Sequence, residues 1–483
     1  MESDAISGIC RAVPPSPRRG TVDQFMAALL RRPDRYPDWD EEPDLRGALD
    51  WFRSFISEEE WQERRGSAAR RLYSASVGML NGPEDRGRFF EEDDTIGWYM
   101  FLVDAALDHP WNYDPTFGAR VIPIFTAIGR NLDLLKSVAS VDVRVRRLVT
   151  SDRRQPNGGL FELLVAAAYC RTGANVSFVK EKRGGEKTHD FDVELNGRRW
   201  AVECKRLEMP EYNERERSEA RRLWHFPASF AVARDKSLFA DVTFRVELTA
   251  VPDDYLLGKA QEFFRSDRPA ILWNDDIAYG VMGEPDLQPL QDALNVTSIL
   301  TIGSRTLALL AGSYVRNAQY VLLARAKAEH NPRFMDECDL AVLLRWKNIS
   351  APSLEARARD VRKRLADAVR QLPSDIPGIV HIGFETVEDD FVEDRRYEKV
   401  MATMENFDST GTNLETVFVH YFVPESPPTG GWAFDETTLW WGTKPEPAPL
   451  DQEVALVLPR DAARRPGMHW DTPEFSCHQL YSR

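Results

Sequence analysis

THDFDVELNGRRWAVECKRL, residues 188–207, decides how the rest of the chain is read. Asn196-Gly197 stands at its centre. A two-residue Asn-Gly loop favours a type I′ hairpin, whose central residues both need positive φ. Such a loop sets the ladder: Leu195 faces Arg198, Val193 faces Trp200, Asp192 faces Ala201, Phe191 faces Val202 and Asp190 faces Glu203. Side chains then alternate between faces. Phe191, Val193, Leu195, Trp200, Val202 and Cys204 share an apolar face that should pack on a helix, and Asp190, Asp192, Ala201, Glu203 and Lys205 share the other. Directly opposed side chains have Cβ atoms about 4.5–5.5 Å apart, and like charges there repel. An Asp against a Glu is therefore a cost, and a divalent cation with oxygen ligands would remove it. Lys205 lies two residues past Glu203 on the same face, where an ammonium can orient a water or neutralise charge developing on a phosphate. The competing reading is a solvated strand face with exposed ion pairs. A longer, bulged loop would shift the pairing by one and spare only the shared face of Glu203 and Lys205.

Outward from the hairpin, NGGLFELLVAAAYCR (157–171) reads as a compact apolar helix carrying Glu162, and NVSFVKEK as a strand. Residues 1–20 read as a loose Pro- and Arg-rich tail. Residues 21–150 form a helical region, with apolar residues at spacings of three and four in TVDQFMAALLRR, ALDWFRSFISEEEWQERRGSAARRLYSA and RVIPIFTAIGRNLDLLKSVAS. The hairpin belongs to a first core segment, 151–230, that ends in a charged helix near 208–225. Residues 231–350 mix strands and helices and read as an α+β insertion. A second core segment, 351–425, holds SLEARARDVRKRLADAVRQL (353–372), one amphipathic helix with Leu354, Ala358, Val361, Leu365, Ala368 and Leu372 in a stripe. Pro352 would be its breaker and Ser353 its N-cap. PGIVHIGFETV follows as an apolar strand, and 426–483 is a Pro- and Trp-rich segment.

At 483 residues, two or three domains are expected. The net charge of −15 argues against coating nucleic acid by bulk charge, though a local basic cleft can outweigh the average. Cys10, Cys170, Cys204, Cys338 and Cys477 are scattered, odd in number and without a CxxC pair. A disulfide framework or zinc ribbon is thus not expected, and a reducing, cytoplasmic setting is. MESDAISGIC has no signal-peptide pattern. The most apolar run, 296–312, carries Arg305 and is short for a membrane span. Neither a Walker A motif nor GxGxxG, HExxH or GxSxG is present.

Asp190, Glu203-Cys204-Lys205 and the preceding Glu162-bearing helix resemble the PD-(D/E)xK nuclease superfamily, the restriction-endonuclease-like fold. Asp190 matches the motif Asp, Glu203 and Lys205 the ExK, and Glu162 the acid of the first helix; His189 replaces the motif Pro, and Asp192 is a rival for the Asp. The resemblance covers 157–207 and extends to 353–384, where Gln371 is a candidate auxiliary residue. It implies an α/β core with a mixed central sheet flanked by helices. It also implies a hydrolase that cuts phosphodiester bonds with Mg²⁺ or Mn²⁺. Asp190 and Glu203 would hold the metal with the Cys204 carbonyl as a further ligand, Lys205 would position the attacking water, and Glu162 would complete the site or buttress Lys205. The expected activity is that of a DNA endonuclease, with defence against foreign DNA as the role by analogy.

Arg206, Arg362 and Arg364 are candidate phosphate contacts, as are Arg357, Arg359, Lys363 and Arg370 on the 353–372 helix and the arginines of 215–222. A solvated helix face with pairs such as Glu355–Arg359 is the competing reading. His189 and His381 read as structural, Cys204 as packing, and Trp440 and Trp441 as buried against a sheet rather than stacking bases. Two other readings of the core stand beside DNA cleavage: a catalytically silent nuclease-fold binding or scaffold protein, and an RNA-cleaving nuclease. Glycosidase chemistry fits poorly, because Lys205 beside two carboxylates favours metal and phosphate. The N-terminal helices are candidates for self-association or for docking a protein partner.

Overall fold

The computed structural model describes residue 30 and residues 42–76, 90, 92–180, 188–208, 211–329, 331–358, 360–443, 448–464 and 467–468. The expected tail, most of TVDQFMAALLRR, Arg359, Cys10 and Cys477 lie outside them. Six helices come first: α1 (Pro43–Arg53), α2 (Glu58–Ser76), α3 (Thr95–Asp108), α4 (Pro115–Arg130), α5 (Leu132–Lys136) and α6 (Val141–Thr150). Local chemistry starts them: Asp94 caps α3 at the Gly97 amide, and Asp114 caps α4 at the Thr116 and Phe117 amides with Pro115 in the first turn. Next come α7 (Asn157–Cys170), β1 (Asn175–Phe178), β2 (Phe191–Leu195) and β3 (Arg198–Leu207). From Leu160 to Tyr169 α7 is buried at every position but Glu162, as expected of a helix that is apolar all round.

An inserted unit follows, with α8 (Glu211–Val232), β4 (Leu238–Phe244), α9 (Tyr255–Arg265), β5 (Ala270–Asn274), β6 (Ala278–Gly283), α10 (Gln288–Leu294), β7 (Ile299–Leu300), α11 (Ser304–Ala311), β8 (Gln319–Lys327), β9 (Phe334–Met335) and β10 (Glu337–Asn348). The chain returns through α12 (Ala351–Arg357) and α13 (Arg362–Val369) to β11 (Gly378–Glu385), α14 (Asp390–Asn406), β12 (Leu414–Glu425) and β13 (Ala433–Gly442). The protein is a mixed α/β structure.

The first sheet has the order β1-β2-β3-β11-β12-β13. β3, β11 and β12 are parallel neighbours, and the other pairs are antiparallel. β11 and β12 are buried almost throughout, as strands covered on both faces should be. One face packs on α7 and on the N-terminal helices in a single core that runs from Leu45 through Phe161, Phe191 and Val202 to Phe422. The other face, with Leu207, Val380 and Ile382, is covered by Val361, Leu365 and Ala368 of α13 and by Val400 of α14. Gly383 on β11 permits the close seating of α7: a Cβ there would lie 2.6 Å from the Phe161 ring.

Several expectations are corrected. The N-terminal helices spend their apolar faces on the sheet core, so they are one body with it rather than an appended module. α8 puts Ala220, Leu223, Trp224, Ala228 and Ala231 into the core of the inserted sheet, β5-β6-β4-β10-β8, so the insertion begins near 211 and not 231. The 353–372 stripe is split into α12 and α13. Arg357 turns inward to meet Glu216, Glu388 and Asp389 at 3.1–3.4 Å, and Ala358 leaves helical geometry. Pro352 sits within the first turn of α12, where its missing N–H costs nothing, and the Ser353 hydroxyl donates to Glu216 at 2.7 Å instead of capping. Part of the Pro- and Trp-rich segment is β13, an edge strand of the first sheet, where Trp440 and Trp441 pack on its two cores.

Candidate active site

The hairpin has the register that its turn chemistry dictates. Asn196 and Gly197 hold φ of 52° and 78°, and the pairs run from Leu195–Arg198 to Phe191–Val202. The ladder ends there: the Asp190 amide donates to the Val202 carbonyl at 3.0 Å, so it shares the partner of Phe191 and falls one residue out of step with the expected Asp190–Glu203 pair. Asp190 therefore sits at the edge of the paired ladder and reaches β3 through its side chain. Its Oδ2 accepts from the Cys204 amide at 2.7 Å, which fixes the carboxylate over the strand.

Glu203 is 1% exposed, so the solvated-face reading does not hold for it. Lys205 donates to its Oε1, while no donor reaches Oε2. Burial and the Asp190 charge push the Glu203 carboxyl up to about 8, against the pull of Lys205. Glu162 on α7 is raised well above the carboxylate range, again by burial and then by the Asp190 charge. Asp190 is raised by burial, with the Arg144 charge opposing. Three carboxyls thus share a poorly solvated corner where β2 begins. Strain of this electrostatic kind gathers at functional sites.

Arg144 was not among the sequence candidates. On α6 it donates through Nε to Glu162 and through Nη2 to Asp190 Oδ1, the latter at 3.0 Å. Its signal was in VDVRVRRL: Arg144 is three residues after Val141 and four before Leu148, in phase with the buried stripe.

Other candidates separate from the corner. Asp192 is held by His189 at 2.9 Å and Arg199 at 2.6 Å, which leaves Asp190 as the acid held on the Cys204 amide and gives His189 the structural bond expected of it. Arg206 points to the opposite face of β3, 5% exposed by side chain; it pairs with Glu385 at 3.3 Å and lies over the Phe422 ring, so it offers no cation to a phosphate backbone. Arg357, buried in its ion cluster, is equally withdrawn. Gln371 donates to the Asp367 carbonyl at 3.1 Å, back onto its own helix rather than to a site carboxylate. Arg362 and Arg364 remain exposed on α13, the helix that covers the Glu203 face. The Cys204 thiol is buried and raised by burial, as packing requires. His381 lies in a buried chain: its Nε2 meets the Tyr169 hydroxyl at 2.9 Å and its Nδ1 meets His420 Nε2 at 3.0 Å.

Among the described residues no three His, Cys, Asp or Glu side chains form a ready metal cage. Arg144 and Lys205 draw the carboxylates onto themselves. The donor set nevertheless suits a hard divalent ion: two adjacent carboxyls, one with an oxygen that no donor satisfies, on a corner that excess negative charge destabilises. Comparison with family models, with curated proteins and with solved structures finds no match to the chain.

Proposed function

We propose that the protein is a metal-dependent nuclease with a restriction-endonuclease-like core, cutting DNA internally. The observation that carries this reading is the clustering of three groups on β3: the Asp190 carboxylate on the Cys204 amide, and Lys205 on the buried Glu203 carboxyl next to it. The order of elements supports it: an acid-bearing helix, a hairpin, then a covering helix and a parallel strand beside β3. Asp190 and Glu203 would hold Mg²⁺ or Mn²⁺, with the Cys204 carbonyl as a further ligand. Such an ion supplies Lewis acidity toward a phosphate and a water acidified for attack. Lys205, 22% exposed by side chain, orients the water and neutralises charge on the phosphate oxygens. Arg362 and Arg364 would meet the phosphate backbone on the α13 side. Among the described residues no helix is long and apolar enough to cross a membrane.

The test is cleavage of plasmid, linear duplex, single-stranded DNA and RNA with Mg²⁺, Mn²⁺ or EDTA. Metal-dependent nicking or linearisation of plasmid is expected, with a loss of about 10²–10³-fold for Lys205→Ala, the scale of removing one donor to a developing anion. Cutting of RNA alone would replace the substrate. Cutting that is equal in Lys205→Ala and wild type would remove the assignment.

A further inference from the structure

We infer that the Arg144 guanidinium is a cation built into this corner, standing where a second divalent ion would otherwise sit, so that the chain takes one metal ion and not two. The inference rests on the metal-site reading above and adds the number of ions and the residue that sets it.

Two-metal hydrolases hold their ions about 3.5–4 Å apart, clamped by shared carboxylates. Here Asp190 is the carboxylate placed to be shared: it meets Arg144 together with Glu162, and it is held on the Cys204 amide next to Glu203. Its two oxygens have different neighbours. Oδ1 accepts from Arg144, which also holds Glu162, and Oδ2 lies toward β3, where Glu203 Oε2 has no donor. Arg144 therefore bridges both carboxylates of the Glu162–Asp190 half, whereas in the other half Lys205 reaches only Glu203 Oε1 and leaves Oε2 without a donor. Arg144 is well anchored for this role. Val141, Val145, Leu148 and Val149 lock α6 into the main core, the side chain is 15% exposed, and the guanidinium lies 5.7 Å from the Phe178 ring centre. Charge gives the same answer. With all three carboxyls ionised, Arg144 and Lys205 leave one net negative charge, which a single divalent ion outweighs and a second would overload.

The test is a calorimetric titration of Mn²⁺ into the full chain, with free Mn²⁺ counted by its paramagnetic resonance. One ion per chain is expected for wild type, and none for Glu203→Gln. Arg144→Gln opens the Glu162–Asp190 half, and a second, weaker ion is expected there. Arg144→Lys keeps the charge and should stay at one. Thermal unfolding of each variant confirms that it folds, and the wild-type count needs no variant. Two ions in wild type overturn the inference while leaving the metal site standing. So does a single ion in a folded Arg144→Gln. No ion in wild type removes the metal reading and this inference together.

Discussion

At Glu203 stability and function conflict. Its carboxyl is buried beside Asp190, so its pKa is raised to about 8, and a group raised in this way loses folding free energy as pH climbs from the ordinary carboxylate range toward that value. A neutral isostere should not carry that cost. Glu203→Gln is expected to melt at or above the wild-type temperature at pH 8 without metal, and to lose the rise that Mn²⁺ gives wild type, about 2.7 kcal/mol at a hundred times Kd. Thermal scans with and without Mn²⁺ check both halves, and a metal-free variant that melts well below wild type would contradict the electrostatic account. The candidate acids and the lysine were legible because a turn and an alternation are local. Arg144 was not, because its partners Glu162 and Asp190 lie 18 and 46 residues away in the chain.

At the scale of elements, the hairpin turn and the helix seat each have a critical glycine. Gly197 holds φ of 78°, so Gly197→Val should cost about 1–2 kcal/mol in urea unfolding, the penalty of a left-handed residue with a Cβ. Gly383→Ala places a Cβ against Phe161 and should cost about 1–3 kcal/mol by overpacking. It should also lower cleavage, because Phe161 adjoins Glu162 on α7. Retained stability and activity in that variant would mean that α7 is free to shift.

β11 and β12 share the buried His381–His420 pair. Burial drives His381 well below its ordinary value and His420 to about 3. Below about pH 6.5 the unfolded chain takes up protons that these folded imidazoles refuse, so stability falls with acid by up to about 1.4 kcal/mol per pH unit for each. His420→Gln should flatten the dependence of unfolding free energy on pH between 6.5 and 4, and an unchanged slope would assign the acid loss elsewhere. That His381 is structural was legible from its alternation with core residues, but its partner on β12 was not.

For the whole molecule, the insertion is tied to the first sheet by a buried ion cluster. Arg357 on α12 meets Glu216 of α8 and Glu388 and Asp389 beyond β11. Arg357→Met leaves those acids without their cation and should cost about 3–5 kcal/mol, read by urea unfolding and by faster proteolysis near 208–211. A loss under about 1 kcal/mol would show that the insertion docks by its apolar contacts alone. Periodicity read Arg357 as one more arginine on a long solvated helix, and only its burial among three acids reveals the break between α12 and α13.

By itself the sequence determined the hairpin, its register from Leu195–Arg198 to Phe191–Val202, the strand that carries Glu203 and Lys205 and the helix that carries Glu162. Those features follow from backbone geometry acting over a few residues, where Asn-Gly and strict alternation leave one arrangement. Tertiary structure alone decided which arginines are buried counter-charges and which stay exposed, where the insertion begins, and that the N-terminal helices share the core of the sheet. A buried charge is tolerable only beside a partner brought from elsewhere in the chain, and an apolar face has no address until something covers it.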